Sequence, residues 1–130
     1  MQYPVFAYKT TEKGRFYAFS LQSKLERTSK RLLQQNIFSN VHFIDAQGDH
    51  YEVLSVKKIK WGTWLWGFSL IYKSRSIIVD FDLHYLSRES IESLKRIILI
   101  DQNGEQFLEE ETTRKLMEAQ SIIEIIALFY

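Results

Sequence analysis

The 130-residue chain has no cysteine and a single proline, Pro4. Without cysteine there is neither a disulfide framework nor thiolate chemistry, which suits a reducing compartment. Its five glycines are never clustered as Gly-x-Gly-x-x-Gly or as a P-loop, so the glycine-rich phosphate cradles are excluded. No serine stands in Gly-x-Ser-x-Gly. Three histidines, His42, His50 and His84, occur without a His-x-x-x-His or His-Glu-x-x-His pairing. No apolar tract approaches the roughly 20 residues of a membrane span. Met1-Gln2-Tyr3-Pro4 lacks the basic and apolar regions of a signal peptide. The expectation is a soluble cytoplasmic protein with no cofactor, no metal and no membrane partner.

What the chain does have is apolar content of 45% and aromatic content of 15%, enough for one domain over 1–130 with a substantial core. The charge is uneven. Residues 1–75 hold 12 Lys/Arg against 5 Asp/Glu, and residues 76–130 hold 5 against 11, so +7 and −6 give the net +1. Such asymmetry points either to two electrostatic faces or to charges that interleave once the halves fold together.

Two stretches read alike: Phe43-Ile44-Asp45-Ala46-Gln47-Gly48-Asp49-His50-Tyr51 and Leu99-Ile100-Asp101-Gln102-Asn103-Gly104-Glu105-Gln106-Phe107. Asp closing on its own backbone and Gly supplying positive φ make each a hairpin turn between strands. Tyr8-Lys9-Thr10 matches Tyr72-Lys73-Ser74, and Phe19-x-Leu21 matches Phe81-x-Leu83. The fold class expected is α+β: two pseudo-repeated β-β-α-β-β halves, about 3–60 and 64–111, followed by a C-terminal helix over about 112–129. The strands form one antiparallel sheet or two facing sheets.

In order, Val5–Lys9 and Arg15–Leu21 read as strands around a polar turn. Ser23 and Glu26 fit a capping box for a helix running to about Phe38. Val41–Ile44 and His50–Val56 are the first motif hairpin, and Lys57-Lys58-Ile59-Lys60 a basic connection. Trp64, Trp66, Phe68, Leu70 and Tyr72 alternate on one strand face. Ile77–His84 is a strand, Ser87-Arg88-Glu89-Ser90 starts a short helix, and Ile97–Ile100 with Gln106–Glu109 forms the second hairpin. The last helix presents Leu116, Ala119, Ile122, Ile123, Ile126 and Phe129 to the core.

Three functional readings follow. In the first, a compact domain without catalytic motifs, with charged faces and many aromatics, binds a partner protein through aromatic anchors inside a charged rim. In the second, Lys57, Lys58, Lys60 and Trp61 combine cations with a stacking surface for single-stranded nucleic acid. In the third, His42 and His50 flank one turn and approach each other, or Asp80 and Asp82 share a strand face, to make a metal or nuclease centre.

In size, absence of cysteine and catalytic motifs, mixed α/β elements and acidic clusters such as Glu109-Glu110-Glu111, the chain resembles the small immunity proteins of bacterial contact-dependent inhibition and other polymorphic toxin systems. The resemblance lies in build across the whole chain and carries over no individual residue. It implies a non-enzymatic module that binds a cognate toxin domain in the cytoplasm and blocks its active site. If the toxin is a nuclease with a basic substrate cleft, the resemblance implies that six acids, Asp80, Asp82, Glu105, Glu109, Glu110 and Glu111, make the contact.

Overall fold

Val5–Tyr8 and Val41–Ile44 are almost unbroken apolar runs, and a strand reads that way only when both of its faces are covered. In the computed structural model both runs are inner strands of a six-stranded antiparallel sheet. The structure describes residues 1–20, 27–29, 38–61 and 76–130. The strands are β1 (Val5–Lys9), β2 (Phe16–Phe19), β3 (Arg27–Ser29), β4 (Val41–Ile44), β5 (Asp49–Trp61) and β6 (Ser76–Arg88), in the order β2-β1-β4-β5-β6-β3. Four helical segments among the described residues follow at the C-terminal end: α1 (Ile91–Arg96), α2 (Gly104–Phe107), α3 (Glu110–Glu118) and α4 (Ile122–Ala127). A π-helical turn, Ile97–Asp101, extends α1 directly.

Strand alternation sorts the core into two layers. Phe6, Tyr8 and Ile44 point to one face, where Leu94, Ile98, Leu116, Ile125 and Ile126 from the helices bury them. Val5, Ala7, Val41, Phe43 and Val53 point to the other, with Phe38, Tyr51, Phe81 and Leu83 beside them.

The first expected hairpin is present. β4 pairs with β5 through His42–Glu52, Phe43–Tyr51 and Ile44–His50. Asp45 closes the turn: its carboxylate accepts the N–H groups of Gln47 at 2.9 Å, Asp49 at 3.0 Å and Gln2 at 3.0 Å. Gly48 takes φ +90°, and its carbonyl accepts the Glu89 N–H at 2.7 Å. A Cβ at Gly48 would collide with the Glu89 carbonyl oxygen, so glycine is required there twice over.

The echo of that hairpin is not a hairpin. Ile97–Asp101 is π-helical and Gly104–Phe107 is a short helix, so the second half is not a copy of β-β-α-β-β. Ser90 caps α1 by accepting the Ser93 N–H at 3.1 Å, and Ile91, Leu94 and Ile98 then follow at helical spacing against the sheet. A helix already under way continues through Ile97–Ile100, whereas a four-residue apolar run alone does not choose between helix and strand. The positive φ of this second motif falls on Asn103 at 54°, and Gly104 instead lets its turn pack on the Ile98 carbonyl.

Other expectations shift. Arg27–Ser29 is a strand paired to β6 rather than part of a helix. Residues 23–26 and 30–37 of that expected helix, including the Ser23–Glu26 box, and the Trp64–Tyr72 strand lie outside the described residues, and Phe38 is in a turn. Lys57, Lys58 and Lys60 belong to β5 itself, not to a connection after it, and Trp61 is the last residue of that strand. The C-terminal helix exists but is split. Ser121 accepts the Glu124 N–H at 3.1 Å, and Glu124 accepts the Gln120 N–H at 2.9 Å, which starts a new helix. The break turns Ile125 and Ile126 inward and leaves Ile123 exposed.

Candidate functional site

The six acids expected to contact a partner divide between two places. Glu105, Glu109, Glu110 and Glu111 are all exposed on the helical layer, at α2 and the start of α3. Asp80 and Asp82 are exposed on β6. At about 3.3 Å per strand residue, Asp80 lies roughly 26 Å along β6 from Arg88, where the chain passes to the helices. Asp80 stands opposite Lys57 on β5, and Asp82 opposite Ser55.

The helical layer carries large apolar side chains that its own packing leaves outside. Ile100 is 62% exposed and Met117 63%. Ile100 is outside because Ile97 and Ile98 take the inward positions of the π-helical turn. Met117 is outside because it follows Leu116, the buried residue of α3. Two adjoining grooves share Met117 and Glu105. The larger, about 870 Å³, runs past Leu108, Glu110 and Glu111. The smaller, about 320 Å³, runs past Glu92, Leu99 and Ile100.

Charge on this layer is negative. Residues 91–130 hold 8 Asp/Glu and 4 Lys/Arg, a balance of −4, so residues 1–90 carry +5 of the total +1. Arg114 lies 4.0 Å from Glu111 and 3.4 Å from Glu118, and Lys115 lies 3.5 Å from Glu111. Among the described residues no cation pairs with Glu105, Glu109 or Glu110. Of these, Glu105 and Glu110 line the grooves at Met117.

A second constellation is buried where the sheet meets the helices. Its hub is His50 on β5, 7% exposed. His50 Nδ1 lies 3.0 Å from Glu89 Oε1; since an ionised carboxylate only accepts, Nδ1 carries the proton. Nε2 is met from two sides, by the Tyr8 hydroxyl at 3.1 Å and by His42 Nδ1 at 2.8 Å. Glu89 is held by Ser87 Oγ at 2.7 Å and by Ser93 Oγ. Burial pushes the Glu89 carboxyl up, but hydrogen bonds from Ser93, His50 and Ser87 together outweigh it and set its pKa at about 2. Burial first, then the charges of Glu89 and Asp101, push the Tyr8 phenol well above its usual range. Burial, then the His50 charge, hold His42 below the usual histidine value, against a smaller opposing pull from Glu52.

The approach of His42 and His50 across one turn was legible from their spacing; Tyr8 and Glu89 were not, since their partner is 42 and 39 residues away. His84 is exposed on β6, opposite Glu52. Among the described residues no three or more His, Asp or Glu side chains are arranged to hold a metal ion. Among them, too, no helix is long and apolar enough to cross a membrane. Lys57 is exposed. Comparison with protein-family models, with curated proteins and with solved structures gives no match.

Proposed function

We propose that this chain is a non-enzymatic protein-binding module of the immunity type, which acts in the cytoplasm by covering the basic active-site cleft of a cognate toxin domain. The observation that carries the reading is the Ile100–Met117 surface: two large apolar side chains more than 60% exposed, beside the unpaired carboxylates Glu105 and Glu110. Desolvated apolar anchors supply affinity, and unpaired carboxylates beside them supply approach rate and orientation, although Lys95, Arg96 and Arg114 line the same grooves. A cleft built to hold a polyanion presents the complementary sign. Of the expected contact residues, Glu105, Glu110 and Glu111 line this surface, Glu109 is exposed next to them in the chain, and Asp80 and Asp82 lie on β6.

The test is co-purification of the tagged chain from its native host with cross-linking of bound protein, followed by titration of the recovered partner against variants. Glu105→Lys with Glu110→Lys is expected to slow association at low salt, and Met117→Ala to speed dissociation. An unchanged affinity in the triple variant sinks the reading. An Asp80→Lys, Asp82→Lys variant with the same partner tells whether β6 takes part. A labelled single-stranded oligonucleotide, titrated at two salt concentrations, tests the Lys57, Lys58, Lys60 and Trp61 alternative. In the structure Lys57 stands opposite Asp80 across the β5–β6 ladder, which lowers the local positive potential.

A further inference from the structure

Three strands bring donor atoms together on the sheet face that receives the helices. Tyr8 on β1 stands directly opposite His42 on β4. His50 on β5 stands opposite Ile44, two residues along from His42 and so on the same face. β1, β4 and β5 are neighbours in the sheet. We propose that Tyr8, His42 and His50 form a binding site for a divalent transition-metal ion, Ni(II) or Cu(II) in kind, which fastens these three strands to one another.

The spacing of the donors selects the metal. His50 Nε2 lies 2.8 Å from His42 Nδ1 and 3.1 Å from the Tyr8 hydroxyl oxygen. At metal–nitrogen bonds of about 2.0–2.1 Å, donors at right angles stand about 2.9 Å apart and tetrahedral donors about 3.4 Å. The observed separations match adjacent corners of a tetragonal site, the arrangement that Cu(II) and Ni(II) prefer among nitrogen and oxygen donors, and are short for tetrahedral zinc. The rings also converge. Tyr8 and His42 stack with centroids 5.2 Å apart at 27°, and the His50 ring is tilted to them at 58° and 61°. Water supplies the remaining corners.

The proton positions suit an incoming cation. His50 Nδ1–H is committed to Glu89 at 3.0 Å, which leaves Nε2 as a lone pair for a metal. A carboxylate on the far nitrogen of a metal-binding histidine fixes its tautomer and raises its basicity, and here Ser87 and Ser93 hold that carboxylate in turn. In the metal-free chain His42 Nδ1 donates into the His50 lone pair. On binding, that proton moves to His42 Nε2, a change of tautomer with no net release. The Tyr8 oxygen has a lone pair whether or not it keeps its proton.

Charge and access fit as well. The charges of Glu89 and Asp101 act on Tyr8, and that of Glu52 acts on His42, so carboxylates surround the point where a cation sits. His42 and Glu52 are half-buried and opposite one another, which gives the site a way in from solvent along β4 and β5. Among the described residues no three His, Asp or Glu side chains converge, and here the third donor is a phenol oxygen. His84 lies beyond Glu52 on β6, exposed, and takes no part. The site is separate from the Ile100–Met117 surface and does not depend on the proposed partner.

The experiment titrates Ni(II) and Cu(II) salts separately into the full chain, stripped with chelator and exchanged into a non-coordinating buffer at pH 7.5. One equivalent is expected to bind and to raise the thermal midpoint, because it binds the folded chain in preference to the unfolded one. The copper paramagnetic-resonance spectrum is expected to show two imidazole nitrogens. Glu89→Gln is expected to weaken binding about 10–100-fold. His42→Phe keeps a ring against Tyr8 and is expected to abolish the one-equivalent site. Tyr8→Phe removes only the oxygen and is expected to change the copper spectrum, and His84→Asn to change nothing. A wild type without a one-equivalent site overturns the proposal. So does wild-type affinity in His42→Phe, or loss of the site in His84→Asn, which marks coordination at the surface. Where His42→Phe does not fold, wild-type affinity in Glu89→Gln or a wild-type copper spectrum in Tyr8→Phe overturns it instead.

Discussion

The imidazoles of His42 and His50 meet at 2.8 Å across the β4–β5 hairpin, and Glu89 orders the pair by accepting from the far nitrogen of His50. The register places both rings on the face that receives the helices, because His42 and Ile44 alternate with Val41 and Phe43. A fixed tautomer follows. Long-range proton–nitrogen correlation spectra at pH 7.5 are expected to show His50 protonated at Nδ1. A neutral His50 protonated only at Nε2 contradicts the Glu89 contact.

Glu89 gives the fold an acid response. Its carboxyl falls from an ordinary value of 4.5 to about 2 in the folded chain, so it stabilises the fold fully above about 4.5 and loses that contribution as pH drops toward 2. Glu89→Gln is expected to reduce the slope of stability against pH between about 4.5 and 2, measured by urea midpoints in this range. Equal slopes in the two proteins count against the ionised, three-fold hydrogen-bonded carboxylate.

Gly48 is confined both by its φ of +90° and by the Glu89 carbonyl against it. Gly48→Ala is expected to cost about 1–3 kcal/mol in chemical denaturation, since a side chain there must take a disfavoured backbone region or push the β6–α1 junction away. Because that junction carries Glu89, the variant is also expected to shift the His50 resonances. Wild-type stability in Gly48→Ala argues against this close approach.

Ile98 and Ile100 separate a helical from a strand reading of the same residues. On a strand, two residues apart share a face; on this π-helical turn Ile98 is fully buried and Ile100 is 62% exposed. Ile98→Ala is expected to destabilise the fold by about 2–5 kcal/mol, and Ile100→Ala to stay within about 0.5 kcal/mol. Similar large losses at both positions restore the hairpin. Ile100→Ala also tests the proposed interface, because it removes an anchor without disturbing the core.

Short-range chemistry was readable from residue order. The Asp45–Gly48 turn, the β1–β2 hairpin and a helix beginning near Ser90 depend on a few neighbours, and a turn carboxylate or a positive φ is decided within four or five residues. The Ser121–Glu124 box that splits the last helix was equally local, but the continuous apolar spacing over it reads as one helix. Local chemistry could not assign Leu99–Phe107, whose letters repeat those of a hairpin. There the outcome rests on which side of Ile97–Ile100 the sheet had to bury, and a sheet surface is assembled from strands far apart in the chain. The same holds for the two candidate sites. Acidic letters were visible in the sequence. That Glu105 and Glu110 surround exposed Ile100 and Met117, while Asp80 and Asp82 stand off along β6, followed from packing. The Tyr8–His42–His50–Glu89 constellation needed three strands in register and a helix start laid against them, a condition that hydrogen-bond ladders and buried area set together and that no single stretch encodes.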